Sequence, residues 1–368
     1  MLYRNIQGLR AIAALMVVSS HTFWSLEPLR GHWIVQLADS IGPAGVDLFF
    51  VISGFVVFLS AGKAGEKAAI VGRWQAFRGF AVRRVFRIYP IYLIAFGAAT
   101  LLMTKVELAP TSLEQEPWWK LALLIDQPNN RILAAWKLQY EMIFYTICAL
   151  GILISARRIL LVLGLWFVAV FSVWITGVFT PSAPMAPLVL EFVFGIVVAL
   201  LVKRGFSKYA VASLGIGIGG ILLGAIVFRL YGAGWFELPQ MWRVVCFGLP
   251  SAFVVYGFVA IELRSMWQFS KRWVALGDSS YSLYLWHQML FAVMAALCVN
   301  FGLVGKVPLI ALALSFLVMA IPVAMLSYHQ IEKRINKSDW LTRLAGEAKR
   351  KPSVAPAAYQ SSSSRSTV

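Results

Sequence analysis

Charge is what this chain lacks most: Asp, Glu, Lys and Arg make up 13% of its 368 residues, about half the share usual in a soluble domain. That excludes a fold bathed in water on every side. Cysteine is rarer still, and Cys148, Cys246 and Cys298 all fall inside apolar runs, which excludes a disulfide framework of the extracellular kind. The four histidines, His21, His32, His287 and His329, share no metal-ligand spacing with one another or with the cysteines, so no metal is expected. No cleavable leader is expected either, because Arg10 interrupts the first apolar run and no small-residue cleavage site precedes Trp24.

What the chain has instead is apolar length. Hydrophobic residues account for 60% of it and mean hydropathy is +0.76. Runs near 6–24, 42–61, 88–105, 132–154, 159–177, 185–202, 209–229, 242–261, 281–300 and 307–328 are each long enough, as helices, to cross a hydrocarbon layer of about 30 Å. Membrane strands need only about 10 alternating residues, so run length favours helices. The expected fold is an all-α integral membrane protein, a bundle of about ten transmembrane helices. Of the 33 Lys and Arg residues, 24 lie in the N-terminus and in 62–87, 155–158, 203–208, 262–280 and 329–368, against 7 at the alternate ends. By the positive-inside rule both termini are then cytoplasmic. The net charge of +17 follows from that topology and implies membrane lipids, not nucleic acid, as its surroundings.

One membrane domain is read over 1–334, followed over 335–368 by a basic, Ser- and Pro-rich cytoplasmic tail that cannot bury a core and is expected to be disordered. In the outward loop 106–131, Trp118-Trp119-Lys120-Leu121 predicts a short helix at the membrane–water interface. Gly215-Ile216-Gly217-Ile218-Gly219-Gly220 matches a dinucleotide fingerprint, but it lies inside an apolar run with no strand before it. Its glycines read better as a close-packing face between helices.

Seven ionisable residues fall within the spans: Arg10, His21, Asp47, Lys137, Glu141, Glu191 and His287. In hydrocarbon such groups face a partner or a water-filled cavity. Arg10 and His21 are eleven positions apart, which on a helix is one stripe, about 16 Å along the axis. A cation and a titratable imidazole then line one channel. Arg73, Arg78, Arg83, Arg84 and Arg87 crowd the inward loop 62–87, where guanidinium forks match phosphate oxygens. Pro90 is expected to start the third span.

Several of these residues stand in an order that resembles the membrane acyltransferase 3 family. Arg10 and His21 match its Arg, ten residues, His signature. Gly45-Val46-Asp47-Leu48-Phe49-Phe50-Val51-Ile52-Ser53-Gly54-Phe55 is similar to its second-span motif, and Arg84 with Arg87, then Ile88-Tyr89-Pro90-Ile91-Tyr92, to its Arg-x-x-Arg. Trp136-Lys137-Leu138-Gln139-Tyr140-Glu141 and Ser280-Tyr281-Ser282-Leu283-Tyr284-Leu285-Trp286-His287 resemble two further motifs. Two positions depart from the pattern. Lys137 stands where a small hydroxyl residue is common, and Glu332-Lys333-Arg334 replaces a terminal Glu-x-Pro. The opening Asn5-Ile6-Gln7 is most similar to exopolysaccharide acetyltransferases of the succinoglycan type.

The resemblance implies an O-acyltransferase of the bacterial inner membrane that uses acetyl-CoA as donor and a hydroxyl of a lipid-linked sugar or exported polysaccharide as acceptor. It implies donor contacts for Arg10, Arg84, Arg87 and Ser53, and acceptor contacts for Tyr281, Tyr284 and His287. His21 would serve as general base or as a transient acyl carrier, with Asp47 or Glu141 orienting it. The rival class is a secondary transporter of a small polar solute, which would also show about ten spans and buried charges. The chain has no paired halves with matching interruptions.

Overall fold

The structure is a computed structural model, and it describes residues 3–24, 33–106, 117–125, 132–155, 158–177, 183–230 and 240–346. His32 and the stretch 347–368 lie outside the described residues. Each of the ten apolar runs coincides with one helical element: α1 (Arg4–Trp24), α2 (Trp33–Val71), α3 (Arg73–Val106), α5 (Trp136–Ser155), α6 (Ile159–Thr176), α7 (Leu190–Lys203), α8 (Ala210–Leu230), α9 with α10 (Gln240–Arg243, Leu249–Leu263), α12 (Ser280–Asn300) and α13 (Leu309–Ser327). Among the described residues, eight helices are long and apolar enough to cross a membrane. Of the remaining two runs, α1 is diluted by Asn5, Gln7, Arg10, Ser19, Ser20 and His21, and α7 has only 14 residues, preceded by the tight turn Pro187–Val189. Short helices α4 (Trp118–Ala122), α11 (Lys271–Asp278), α14 (Lys333–Asn336) and α15 (Asp339–Leu344) complete the described chain. No strand occurs among the described residues, and the molecule is an all-α membrane bundle.

The expected loop 62–87 is helical on both sides of a single break. α2 runs for 39 residues, about 58 Å of rise, well beyond a bilayer. Gly72, at φ +88°, makes the turn, and α3 begins at Arg73 and continues through Pro90 rather than starting there. Tertiary contacts hold this first stretch of α3. Arg73 Nη1 donates to the Ile154 carbonyl at 3.0 Å, Gln75 Nε2 to Gly346 at 2.6 Å, and Arg78 Nε to Leu344 at 2.9 Å. Trp340 of α15 meets Phe86 edge-on, with ring centroids 5.0 Å apart. The described chain beyond residue 334 is thus docked along α3.

The start of α1 is fixed by a distant carboxylate. Glu262 accepts the backbone N–H groups of Arg4 at 2.9 Å and Asn5 at 2.7 Å, the donors a helix start leaves unpaired. Asn5 is a bracket: its Nδ2 donates to the Phe258 and Trp267 carbonyls, and its Oδ1 accepts from Phe269 N–H. Glycines set the closest helix approaches. A Cβ on Gly195 of α7 would lie 2.1 Å from the Val51 carbonyl oxygen of α2, and one on Gly54 of α2 would lie 2.3 Å from the Phe192 carbonyl oxygen. In α8, Gly217 and Gly224 meet the backbone of the Cys246–Val254 stretch in the same way, while Gly215 and Gly219 face open space. Half of the false dinucleotide motif is therefore a packing face.

Candidate active site

Five helices converge on one cleft of about 610 Å³, its open mouth included. α1 supplies Arg10, α2 supplies Phe49 and Ser53, α3 supplies Arg84 and Arg87, α5 supplies Lys137, Glu141 and Tyr145, and α12 supplies Tyr281 and Tyr284. All four expected donor contacts, with Glu141 and both tyrosines, thus line the same cleft. The tyrosine hydroxyls are anchored on backbone, Tyr281 donating to Ile88 at 3.0 Å and Tyr284 to Ala134 at 2.8 Å. Beneath the cleft an aromatic cluster locks α2, α5 and α7 together, with Phe144 stacked on Phe192 at 4.3 Å and Phe50 edge-on to Phe192 at 5.2 Å.

The electrostatics are lopsided. Among the described residues, four cations, Arg10, Arg84, Arg87 and Lys137, line the cleft with one carboxylate, Glu141. That carboxylate is occupied, because its Oε1 accepts from Lys137 Nζ at 2.7 Å and from Ser53 Oγ at 2.9 Å. Arg84 lies against the rings of Phe80 and Tyr145, 5.2 and 5.4 Å from their centroids. Converging guanidiniums repel one another where solvent screening is weak, and a bound anion would offset that repulsion. Nearby, at the end of α11, burial raises the Asp278 pKa above its ordinary value, against the opposing pull of Arg10, Arg87, Lys333 and His329.

Eleven residues along α1 from Arg10, His21 meets a second imidazole. His287 Nε2 lies 3.1 Å from His21 Nδ1, and the ring centroids are 5.1 Å apart. The other nitrogen of His287, Nδ1, is 3.1 Å from the Leu283 carbonyl. A carbonyl only accepts, so the hydrogen-bond network assigns the proton of neutral His287 to Nδ1. Nε2 of His287 then accepts from His21 Nδ1–H, and the lone pair of His21 resides on Nε2. His287 is 1% exposed whereas His21 is partly exposed. The Tyr284 ring, 6.1 Å from that of His287, connects the pair to the cleft.

Two placements differ from expectation. Asp47 was expected near His21; instead it forms a buried ion pair with Arg243, whose Nε donates to Oδ1 at 3.1 Å and Nη2 to Oδ2 at 3.2 Å. Glu141 is held by Lys137 and Ser53, so the group found against His21 is His287. Arg243 escaped the sequence reading because it opens a span and counts there as a loop charge. The clue was a pair of buried acids, Asp47 and Glu191, lacking an assigned cation; Glu191 does lie beside the Asp47–Arg243 pair. Glu332, at a wide helical turn over Tyr328–Glu332, accepts a short hydrogen bond from Ser282. Among the described residues no three His, Cys, Asp or Glu side chains gather as a metal site requires.

A helical membrane bundle with a cation-lined cleft beside an imidazole pair has the parts of a group-transfer enzyme. The comparisons give the class: the chain belongs to the acyltransferase family, whose acyltransferase domain model matches residues 3–329. It is 26% identical over 325 residues to the exopolysaccharide production protein ExoZ of Rhizobium meliloti, covering 84% of this chain and 95% of the relative. It is 27% identical over 324 residues to the acyltransferase MdmB of Streptomyces mycarofaciens, covering 77% of this chain and 78% of the relative. With the O-acetyltransferase OatA of Staphylococcus aureus it shares 25% identity over 90% of this chain but only 57% of the relative. No solved structure matches the chain.

Proposed function

We propose that this protein is an O-acyltransferase of the bacterial inner membrane that moves acetyl from acetyl-CoA to a hydroxyl of a lipid-linked sugar or exported polysaccharide. The observation that carries this reading is the convergence of Arg10, Arg84 and Arg87 on a cleft where the one carboxylate among the described lining residues, Glu141, is already paired. Such a cleft suits the phosphates of coenzyme A. The names of two relatives, an exopolysaccharide production protein and an O-acetyltransferase, favour a glycan hydroxyl as acceptor.

In the reaction, the acceptor oxygen attacks the thioester carbonyl while His21 Nε2 takes the hydroxyl proton. The carbon–sulfur bond breaks, the thiolate takes the proton back from the imidazolium, and an ester and free coenzyme A result. His287, together with the backbone hydrogen bond of His21 to Val17, holds His21 in the required tautomer by accepting from Nδ1–H and stabilises the transient imidazolium, the part a carboxylate plays in a triad. In a relay, the same Nε2 would carry the acetyl group briefly as an acyl-imidazole. The test is mass spectrometry of surface glycans from cells with and without the gene, paired with thiol release from acetyl-CoA by the purified protein. Loss of an acetyl ester with the gene, together with thiol release, is expected. Unchanged glycans and no thiol release would leave the transporter reading standing.

A further inference from the structure

The cleft has a floor. Along α5 the lining runs from Tyr145, which Arg84 covers, about two turns on to Lys137, and there Lys137, Phe49 of α2 and Tyr284 of α12 touch one another. Lys137 Nζ is 4.5 Å from the Phe49 ring centroid and 5.3 Å from that of Tyr284, and the two rings meet edge-on at 6.1 Å. Two of them are held from behind. Lys137, 4% exposed, is tied to Glu141, and Tyr284 is anchored by its hydroxyl to Ala134. Beyond the floor stands the imidazole pair, with the His287 ring 6.1 Å from Tyr284. Neither His21 nor His287 lines the cleft.

From this arrangement we infer that Lys137, with Phe49 and Tyr284, is the specificity-determining constriction of the donor passage and limits the acyl group to a short one, acetyl ahead of butyryl. The inference rests on an acyl-CoA binding in the arginine-lined cleft. The pantetheine arm then ends against the floor, and the acyl group reaches His287 and His21 only as the two touching rings part, by more for a longer chain. A wall of one buried ring, one anchored ring and a tethered ammonium yields little to a longer chain, because close-packed surroundings resist the insertion of even single methylene groups. Lys137 acts here through its bulk: its ammonium is committed to Glu141 and to the ring faces.

The experiment compares thiol release from acetyl-CoA and butyryl-CoA by the full-length protein in membranes, for the unchanged chain and for Phe49→Ala, Lys137→Ser and Lys137→Met. The unchanged protein is expected to prefer acetyl-CoA. Phe49→Ala and Lys137→Ser, which open the floor from two different helices, should each raise the butyryl-to-acetyl ratio by on the order of ten-fold or more. Lys137→Met keeps the length and loses the charge, and should keep the ratio within about two-fold of the unchanged protein. Either opening variant suffices if the other does not fold. An unchanged ratio in the opening variants that fold overturns the constriction while leaving the donor reading intact. A ratio shifted equally by Lys137→Met overturns the assignment to bulk. Absence of thiol release from both thioesters in the unchanged protein overturns the donor reading and the constriction with it.

Discussion

Single side chains here do work that their sequence neighbours cannot reveal. His21 and His287 are 266 positions apart, and only the packing of α12 against α1 makes them a pair. Their hydrogen-bond direction yields a prediction. His287→Gln keeps an acceptor for His21 Nδ1–H and should retain part of the transfer activity, whereas His287→Ala should lose more, about 10²-fold, because the imidazolium formed at His21 loses its facing acceptor and keeps only its backbone bond to Val17. Equal loss in the two variants would assign His287 a role other than orienting His21. For the arginines, Arg84→Ala or Arg87→Ala should weaken acetyl-CoA binding by about 10- to 150-fold, as expected for losing charge-assisted bonds of roughly 1.5 to 3 kcal/mol. Arg→Lys at either position should recover only part of it. Binding measured by isothermal titration in detergent decides this, and unchanged affinity would return the cluster to a purely topological role. Sequence showed which charges were buried but not whom they meet. Arg10 and His21 were legible because helix geometry relates them within one element. The partners Asp47–Arg243 and Ser282–Glu332 were not, because each joins elements far apart in the chain.

At the scale of elements, apolar run length located every long helix, since a span must satisfy its own backbone hydrogen bonds. It misjudged where helices end in water. Residues 62–71 are polar enough to look like a loop, yet Ala, Glu and Lys there favour helix, and only Gly72 breaks it. Pro90 misled in the same way: α3 is held by contacts to α5 and α15 well before the proline. The glycine motif of α8 was read as a packing face, and the structure bears this out for Gly217 and Gly220 but not for Gly215 and Gly219. Gly217→Leu and Gly195→Leu should abolish folded protein, because their Cβ atoms would overlap backbone. Gly215→Ala and Gly219→Ala, which face open space, should leave stability unchanged or raise it by up to about 1 kcal/mol each. Fluorescence-detected size exclusion after heating reads both outcomes. Removing Arg243 should also be costly, by about 3 to 5 kcal/mol, because Asp47 would be left as an uncompensated buried charge.

For the whole molecule, the basic ends of the helices define one face. Arg73 and Arg78 of α3 meet the end of α5 and the close of α15 there, and Arg10 and Arg87 of the cleft share the surroundings of Asp278 with Lys333 and His329. If that face is cytoplasmic, as the 24 to 7 distribution of Lys and Arg implies, reporter fusions after Gly72 and after Arg350 should read cytoplasmic and one after Glu116 external. An external signal at Gly72 would put the cleft on the wrong side of the membrane for a donor made in the cytoplasm. The proposed chemistry stands on His21. Its most direct test is acetyl transfer to the native glycan by the unchanged, His21→Ala and His287→Gln proteins matched for membrane abundance, with acetyl-CoA binding followed in parallel. The account predicts that His21→Ala still binds acetyl-CoA and transfers none, with partial transfer by His287→Gln. Substantial transfer by His21→Ala would contradict it.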